Sequence, residues 1–352
     1  MTYYYFGIMK SSDLKYLGAY IIPSMVLYGL WLGEIWIFIP LIFTFVLIPL
    51  LELIIPADTS NHGEDIEASR SVNVFFDLLL YFNIFFVYGG IFIFAYQLSI
   101  NAYSSHELVG GVLSCGLLLG TSGINVAHEL GHRQNVLSQT LAGMLLLPSH
   151  YIHFTIEHNF GHHKYVATPM DPATARKGEN IFAFWIRSAV LSYINAWKIE
   201  NKRIKTQHGN ALHPANRMIQ AVFVHIIYNS LIWVYFGSFA WTYVFVAGIV
   251  GFLLLETINY IEHYGLQRKQ TAEGMYEKVR PAHSWNSDHV IGRILLYELS
   301  RHSDHHYKAN RKYPILRHLD ESPQLPFGYP ASLLMALVPP LWFWVMNKHL
   351  EK

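Results

Sequence analysis

Six apolar stretches limit what this chain can become: about Tyr16–Gly33, Ile35–Pro56, Val74–Tyr96, Leu108–Ala127, Met218–Phe236 and Thr242–Ile261. Each reaches or approaches the roughly 20 residues that a helix needs to cross hydrocarbon. Inside a bilayer no water is available to backbone N–H and C=O groups, so such stretches must satisfy them internally, as helices. The first and second stretches, and the fifth and sixth, are separated by so few residues that each pair must form a helical hairpin. Charged residues make up only 14% of the chain, against about 25% in soluble domains. The expected fold is therefore an all-α integral membrane protein with six transmembrane helices and a helical cap, forming a single domain over residues 1–352. The first stretch has no small-residue cleavage site after it and reads as an anchor rather than a signal peptide.

The basic residues test this count. With the N-terminus in the cytoplasm, the outer connections are Leu32–Glu34, Gln97–His106 and Gly237–Trp241, and none contains Lys or Arg. All 25 basic residues lie in the N-terminal stretch, in Ala57–Asn73, in the region 128–217 or after His263. That is the positive-inside pattern. It places both termini and the two polar regions, 128–217 and 263–352, in the cytoplasm. The last apolar run, Ala331–Met346, is short for a span and contains Pro339–Pro340, so it is expected to be a packed or interfacial helix.

The 20 histidines are the compositional outlier. Four groups stand at the inner ends of spans or in the cytoplasmic regions: His128-Glu-Leu-Gly-His132, Glu157-His-Asn-Phe-Gly-His-His163, Asn259-Tyr-Ile-Glu-His263 and Arg301-His-Ser-Asp-His-His306. On an α-helix, residues four apart share a face. His128 and His132 then point the same way, as do His158 and His162, while His163 swings about 100° further round. His302, His305 and His306 fan over a similar arc. Adjacent histidines can serve two metals at once, and His263 supplies a ligand from a separate helix. Two metals with four or five imidazoles each use all nine: His128, His132, His158, His162, His163, His263, His302, His305 and His306. Imidazole suits Fe, Zn, Cu and Ni alike, so ligand type alone does not select the metal.

Neutral ligands leave a cationic centre under-compensated, and carboxylates that orient imidazole N–H groups are expected nearby. Glu129, Glu157, Glu262 and Asp304 are placed for this, with Asn259 beside them. His62, His106, His208, His213, His225, His318 and His349 lack such context and read as structural. His150, His153, His283 and His289 flank the groups. Ionisable residues within spans are functional candidates. Of these, Glu52 and Asp77 lie near the inner ends, and Glu256 is placed to support His263. Cys115 is the only cysteine, which excludes an internal disulfide or a Cys-x-x-Cys metal site.

These groups resemble the histidine boxes of the membrane fatty-acid desaturase and hydroxylase superfamily. The resemblance is closest to the bacterial alkane 1-monooxygenases. Asn259-Tyr-Ile-Glu-His-Tyr-Gly-Leu266 resembles the motif that sets these hydroxylases apart, and Val166-Ala-Thr-Pro-Met-Asp-Pro-Ala-Thr174 and His283-Ser-Trp-Asn-Ser287 resemble family segments as well. Ser300 stands where Gln commonly precedes the third box, and the polar extension after the last apolar run is almost absent. The resemblance implies two non-haem irons, O2 as co-substrate and terminal hydroxylation of alkanes or alkane-like chains. It also implies residence in the bacterial inner membrane, and a separate rubredoxin as electron donor, fed by an NADH-dependent rubredoxin reductase. Arg133, Lys308, Arg311 and Lys312 are candidates to dock that acidic partner, beside the plainer reading of positive-inside charge.

A saturated C–H bond offers nothing to polarise, so acid–base side chains cannot attack it, whereas oxygen activated at a redox metal can. Spans that enclose an apolar tunnel would present a chain end to such a centre. Trp31, Trp36, Phe43, Phe45 and Phe82 are candidates to line it and limit chain length. The rival readings are a desaturase or an aryl-methyl or acyl-chain hydroxylase, an intramembrane zinc protease built on His128-Glu129-x-x-His132, and a non-catalytic metal transporter. The protease leaves seven clustered histidines idle. The transporter calls for ligands near mid-membrane.

Overall fold

The computed structural model describes residues 10–351, and among these the chain is helical, with no strand beyond two isolated bridges. A 3-10 segment, Ser11–Tyr20, runs into α1, Ile21–Leu32. Gly33, at φ 69°, reverses the chain into α2, Glu34–Ile54. A Cβ on Gly29 would lie 2.5 Å from the carbonyl oxygen of Trp36, so only glycine lets the two backbones meet. α3, Glu64–Val72, is short and polar. α4, Val74–Ser99, and α5, Ser105–Gly131, complete the first half of the bundle.

α6, Val136–Ser149, is an apolar helix inside the region read as polar, and it buries Ala142, Leu145 and Leu146. α7 covers residues 154–165 in three continuous pieces. α8, Ile181–His208, buries a stripe of one residue every four, Phe184, Ser188, Ser192, Ala196, Glu200 and Ile204. α9, Arg217–His263, contains non-helical Gly237 at φ 85°. The arms on either side fold back on each other, with Trp241 Nε1 donating to Asn229 Oδ1 at 2.9 Å. This is the expected hairpin of the fifth and sixth stretches.

Among the described residues, four helices are long and apolar enough to cross a membrane: α2, α4, α5 and α9. One end of the bundle gathers the turns: Glu107 Oε1 accepts from Glu34 N at 2.5 Å, and Gln97 Nε2 donates to Trp31 O at 2.7 Å. The histidines gather at the opposite end. There α10, Val290–Leu295, and α11, His302–Tyr307, lie across the bundle. α12, Tyr329–Ala336, and α13, Pro339–Leu350, are the expected packed C-terminal helix, broken at Pro339, with Trp342 fully buried against Tyr260 and Tyr264.

Three helices widen to π geometry for one turn, at Phe43–Leu47 in α2, Leu119–Ile124 in α5 and His158–His162 in α7. Such turns insert a residue into the helix and re-aim the side chains that follow.

Candidate metal centre and substrate cavity

All nine histidines converge, in two groups. His128, His132, His158, His163 and His305 form one, and His162, His263, His302 and His306 the other, with the ligating atoms of each group within 4.8 Å of one another. Nε2 to Nε2 distances are 2.8 Å for His128–His305, 3.0 Å for His158–His163 and 3.2 Å for His163–His305. In the second group they are 3.2 Å for both His162–His306 and His263–His302. Ligands about 2.1 Å from a metal and at right angles to each other stand roughly 3.0 Å apart, so this spacing fits rings around an ion. A hydrogen-bonded pair explains one such contact, but not His163 making two, nor His132 Nε2 buried without any partner.

Helix geometry decides the division. His128 and His132 share a group, as α spacing requires, and so do His302 and His306. In α7 the expected pairing of His158 with His162 gives way to His158 with His163. The π turn is the reason: it brings residue i+5, rather than i+4, back over residue i. The adjacent pairs His162–His163 and His305–His306 each divide between the groups.

Burial, reinforced by the neighbouring rings, holds His158, His163, His302, His305 and His306 well below the ordinary histidine range. They are therefore neutral, the form that ligates. His162 differs. Burial is the largest single influence and disfavours its cation, but the charge and hydrogen bond of Asp171, with the charges of Glu157 and Glu256, together outweigh burial and raise it. His162 Nδ1 donates to Asp171 Oδ2 at 2.8 Å, while Thr174 Oγ1 at 2.5 Å and Ala173 N at 3.0 Å donate to the same carboxylate. That bond turns Nε2 toward the cluster. Asp171 carried no role in the sequence reading. Its position in a Thr-Pro-Met-Asp loop nine residues after His162 was the available signal.

The anticipated carboxylates separate. Glu262 Oε2 lies 3.1 Å from His302 Nε2, and its Oε1 accepts from Tyr329 Oη at 2.6 Å. Glu129 instead binds Arg133 and the Tyr313 backbone, Glu157 accepts from Asn195 at 2.9 Å, and Asp304 takes Arg311 and Arg317. Guanidinium, amide and backbone donors claim these three, and none of them hydrogen-bonds a ring of the cluster. Glu256 accepts from Tyr151 Oη at 2.5 Å rather than from His263. Glu52 accepts from Gly292 N at 3.2 Å, and Asp77 pairs with Arg133 and Lys312. Lys312 and Arg311 are thus engaged within the fold.

An apolar cavity reaches His128, His158 and His302. Thr44, Phe45, Ile48, Leu117, Gly120, Thr121, Leu254, Leu255, Ile258, Leu295, Leu299 and Leu333 line it, with Asn259, Glu262 and Tyr329 at its polar end. Both membrane-helix π turns touch it, through Thr44 and Phe45 and through Gly120 and Thr121. Of the five aromatic candidates only Phe45 lines the cavity. Trp31 is 57% exposed, Trp36 45% and Phe82 52%, on outward helix faces, and Phe43 packs partly buried against the core. A second, small pocket adjoins the cluster, lined by Tyr151, His153, Glu157, Ser192 and Glu256 and reaching His158 and His162. Phe154, His158 and Asn259 line both spaces.

Long apolar helices closed at one end by a double polyhistidine cluster define a membrane metalloenzyme of the histidine-box type. The family model described as Fatty acid desaturase matches residues 104–332. Alkane 1-monooxygenases from Pseudomonas putida and Acinetobacter baylyi are similar at 34% and 37% identity, over 91% and 86% of this chain and 81% and 74% of theirs. A xylene/toluene monooxygenase hydroxylase component of Pseudomonas putida is 29% identical over 95% of this chain and 88% of its own. The chain belongs to the fatty acid desaturase family and, within it, to the alkane 1-monooxygenases.

Proposed function

We propose that the protein hydroxylates the terminal carbon of alkanes or alkane-like chains to primary alcohols, using O2 and two non-haem irons. The observation that carries this reading is the apolar cavity that ends on imidazoles of both groups, His128 and His158 of the five and His302 of the four. Such a space accepts an unfunctionalised chain endwise and brings its methyl to the centre. The five- and four-histidine groups would hold one iron each, and bound iron would supply the oxygen activation that side chains cannot. The protein's own residues bind the chain, exclude water from it and fix the rings. Asp171 orients His162, and Tyr329 holds Glu262 beside His302.

The reading includes one domain with six spans, α1 and the two arms of α9 counted among them, in a bacterial inner membrane. The histidine end and both termini face the cytoplasm, which the distribution of Lys and Arg supports. Electrons come from a separate rubredoxin and its NADH-dependent reductase. Two arrangements of substrate compete: a straight chain, and a methyl-substituted aromatic ring, which the name of the xylene/toluene relative brings in. Purified protein supplied with rubredoxin, reductase, NADH and a mixed panel of alkanes and methylarenes separates them. Primary alcohols from alkanes are expected, with about two irons per chain for the two groups. Alkenes would indicate a desaturase, benzylic alcohols alone the aryl-methyl reading, and one zinc per chain would end both.

A further inference from the structure

The small pocket beside the cluster is polar where the substrate cavity is apolar, and two of its walls are incompletely satisfied. Glu256 is 1% exposed and His153 5%. Tyr151 donates to Oε1 of Glu256; Ser188 and Asn259 lie near the same carboxyl, but neither reaches Oε2 with full hydrogen-bond geometry, and Nε2 of His153 has no partner. Buried polar atoms left bare are rare, and water is the usual occupant where a space has two to four polar partners for it. The pocket reaches His162, in one metal group, and His158, in the other. The His153 ring in its wall stands edge-on to Tyr193 at 5.1 Å, and Tyr193 is 42% exposed.

Hydroxylation by the proposed reaction needs protons: R–H + O2 + 2 e⁻ + 2 H⁺ → R–OH + H2O, with the electrons from the one-electron carrier protein. The C–H bond becomes C–O–H, one oxygen atom leaves as water, and both added protons must reach the buried centre. Away from its polar end, the substrate cavity is lined mainly by aliphatic side chains, which offer protons no relay. We propose that the small pocket is a water site and the proton inlet of the metal centre, with Glu256 as the residue that positions its water. Phe154 and Asn259, shared by both spaces, keep this water from the alkane.

The inference rests on the proposed hydroxylation, and the test separates the two. Glu256→Leu removes the acceptor while keeping volume. Its iron content is expected to match wild type, and alkane turnover to fall severalfold, up to about a hundredfold, the lower bound for a positioned proton donor. The solvent deuterium isotope effect should rise, and the isotope effect of deuterated alkane should shrink toward one, because proton supply then limits the rate. Glu256→Gln keeps an acceptor oxygen and should recover most of the rate. A structure of the wild-type protein that resolves waters should show one between Glu256 and His153. Unchanged isotope effects in Glu256→Leu, or a dry pocket, would overturn the proposal. If Glu256→Leu does not fold, His153→Phe fills the same pocket and should give the same isotope signature. A wild-type protein that makes no alcohol would reject the hydroxylase reading and leave the water site to be judged by its density.

Discussion

Nε2 of His128 lies 2.8 Å from Nε2 of His305, although 177 residues separate them in the chain. One ring sits near the end of a long apolar helix, α5, and the other on the six-residue helix α11. Their meeting depends on the buried network beneath α11. Arg301 donates to Asp288 Oδ1 at 3.1 Å and to the backbone oxygens of Leu316, Asp58 and Ser60, tying the third histidine box to the loop after α2.

His263 is the only member of the clusters contributed by α9. Replacing it with alanine removes one of the four rings of its group. Metal analysis of His263→Ala is expected to find about one iron per chain in place of two, and gas chromatography no alcohol. Wild-type turnover in this variant would reject the assignment of ligands.

Asp171 bonds His162 and through it would act on a metal held by the proposed centre. Asn at this position keeps the shape but loses the charge that favours the Nδ1–H donor. A supporting carboxylate of this kind is typically worth about 10- to 100-fold in metal affinity. Asp171→Asn should therefore lose iron to a chelator correspondingly faster than wild type, with the helical circular dichroism unchanged. Equal retention would show that the bond does not hold the ring.

Phe45 is the one anticipated aromatic on the cavity wall. Phe45→Ala opens space there, and each methylene buried in that space is worth about 0.8 kcal/mol, roughly fourfold in affinity. Competition between alkanes of graded length should show the preferred length moving upward. The same experiment with Trp31→Ala, which faces outward, should leave the preference where it was.

Acid stability has a specific source outside the spans. Burial opposes ionisation of Glu200, but hydrogen bonds from Arg203 and Arg217 outweigh it and bring its carboxyl down to about 2. A carboxyl lowered in the folded state binds fewer protons than the unfolded chain, so stability rises with pH through this window. The contribution is complete above the ordinary glutamate value of 4.5 and disappears as pH falls toward about 2. Melting temperatures of wild type and Glu200→Gln should therefore differ at neutral pH and converge on acidification. A constant difference would place the stabilisation elsewhere.

Much of the site was readable in the primary structure, because its residues recur at helical spacing beside apolar runs. His128 with His132 and His302 with His306 follow directly from α periodicity. His158 with His163 does not, since the π turn that unites them depends on which carbonyl each N–H selects once α7 packs against α8. Glu129 and Asp304 look like partners of their neighbouring histidines in one dimension. In three, Arg133, Arg311 and Arg317 reach them first. Trp31, Trp36 and Phe82 show why aromatic content alone does not define a cavity: apolar side chains suit a helix face turned to lipid as well as one turned inward.

Amino-acid order alone dictated the apolar helices, the tight reversals at Gly33 and Gly237, the choice of imidazole as ligand and the end of the bundle where the rings would stand. Those features follow from local sterics and from the cost of placing polar groups in hydrocarbon. The division of nine rings into five and four, Asp171 behind His162, the cavity that Phe45 lines and the wet pocket proposed beside Glu256 came only from packing. Each joins segments tens to hundreds of residues apart, and such contacts depend on which helix faces meet rather than on the periodicity of any one of them.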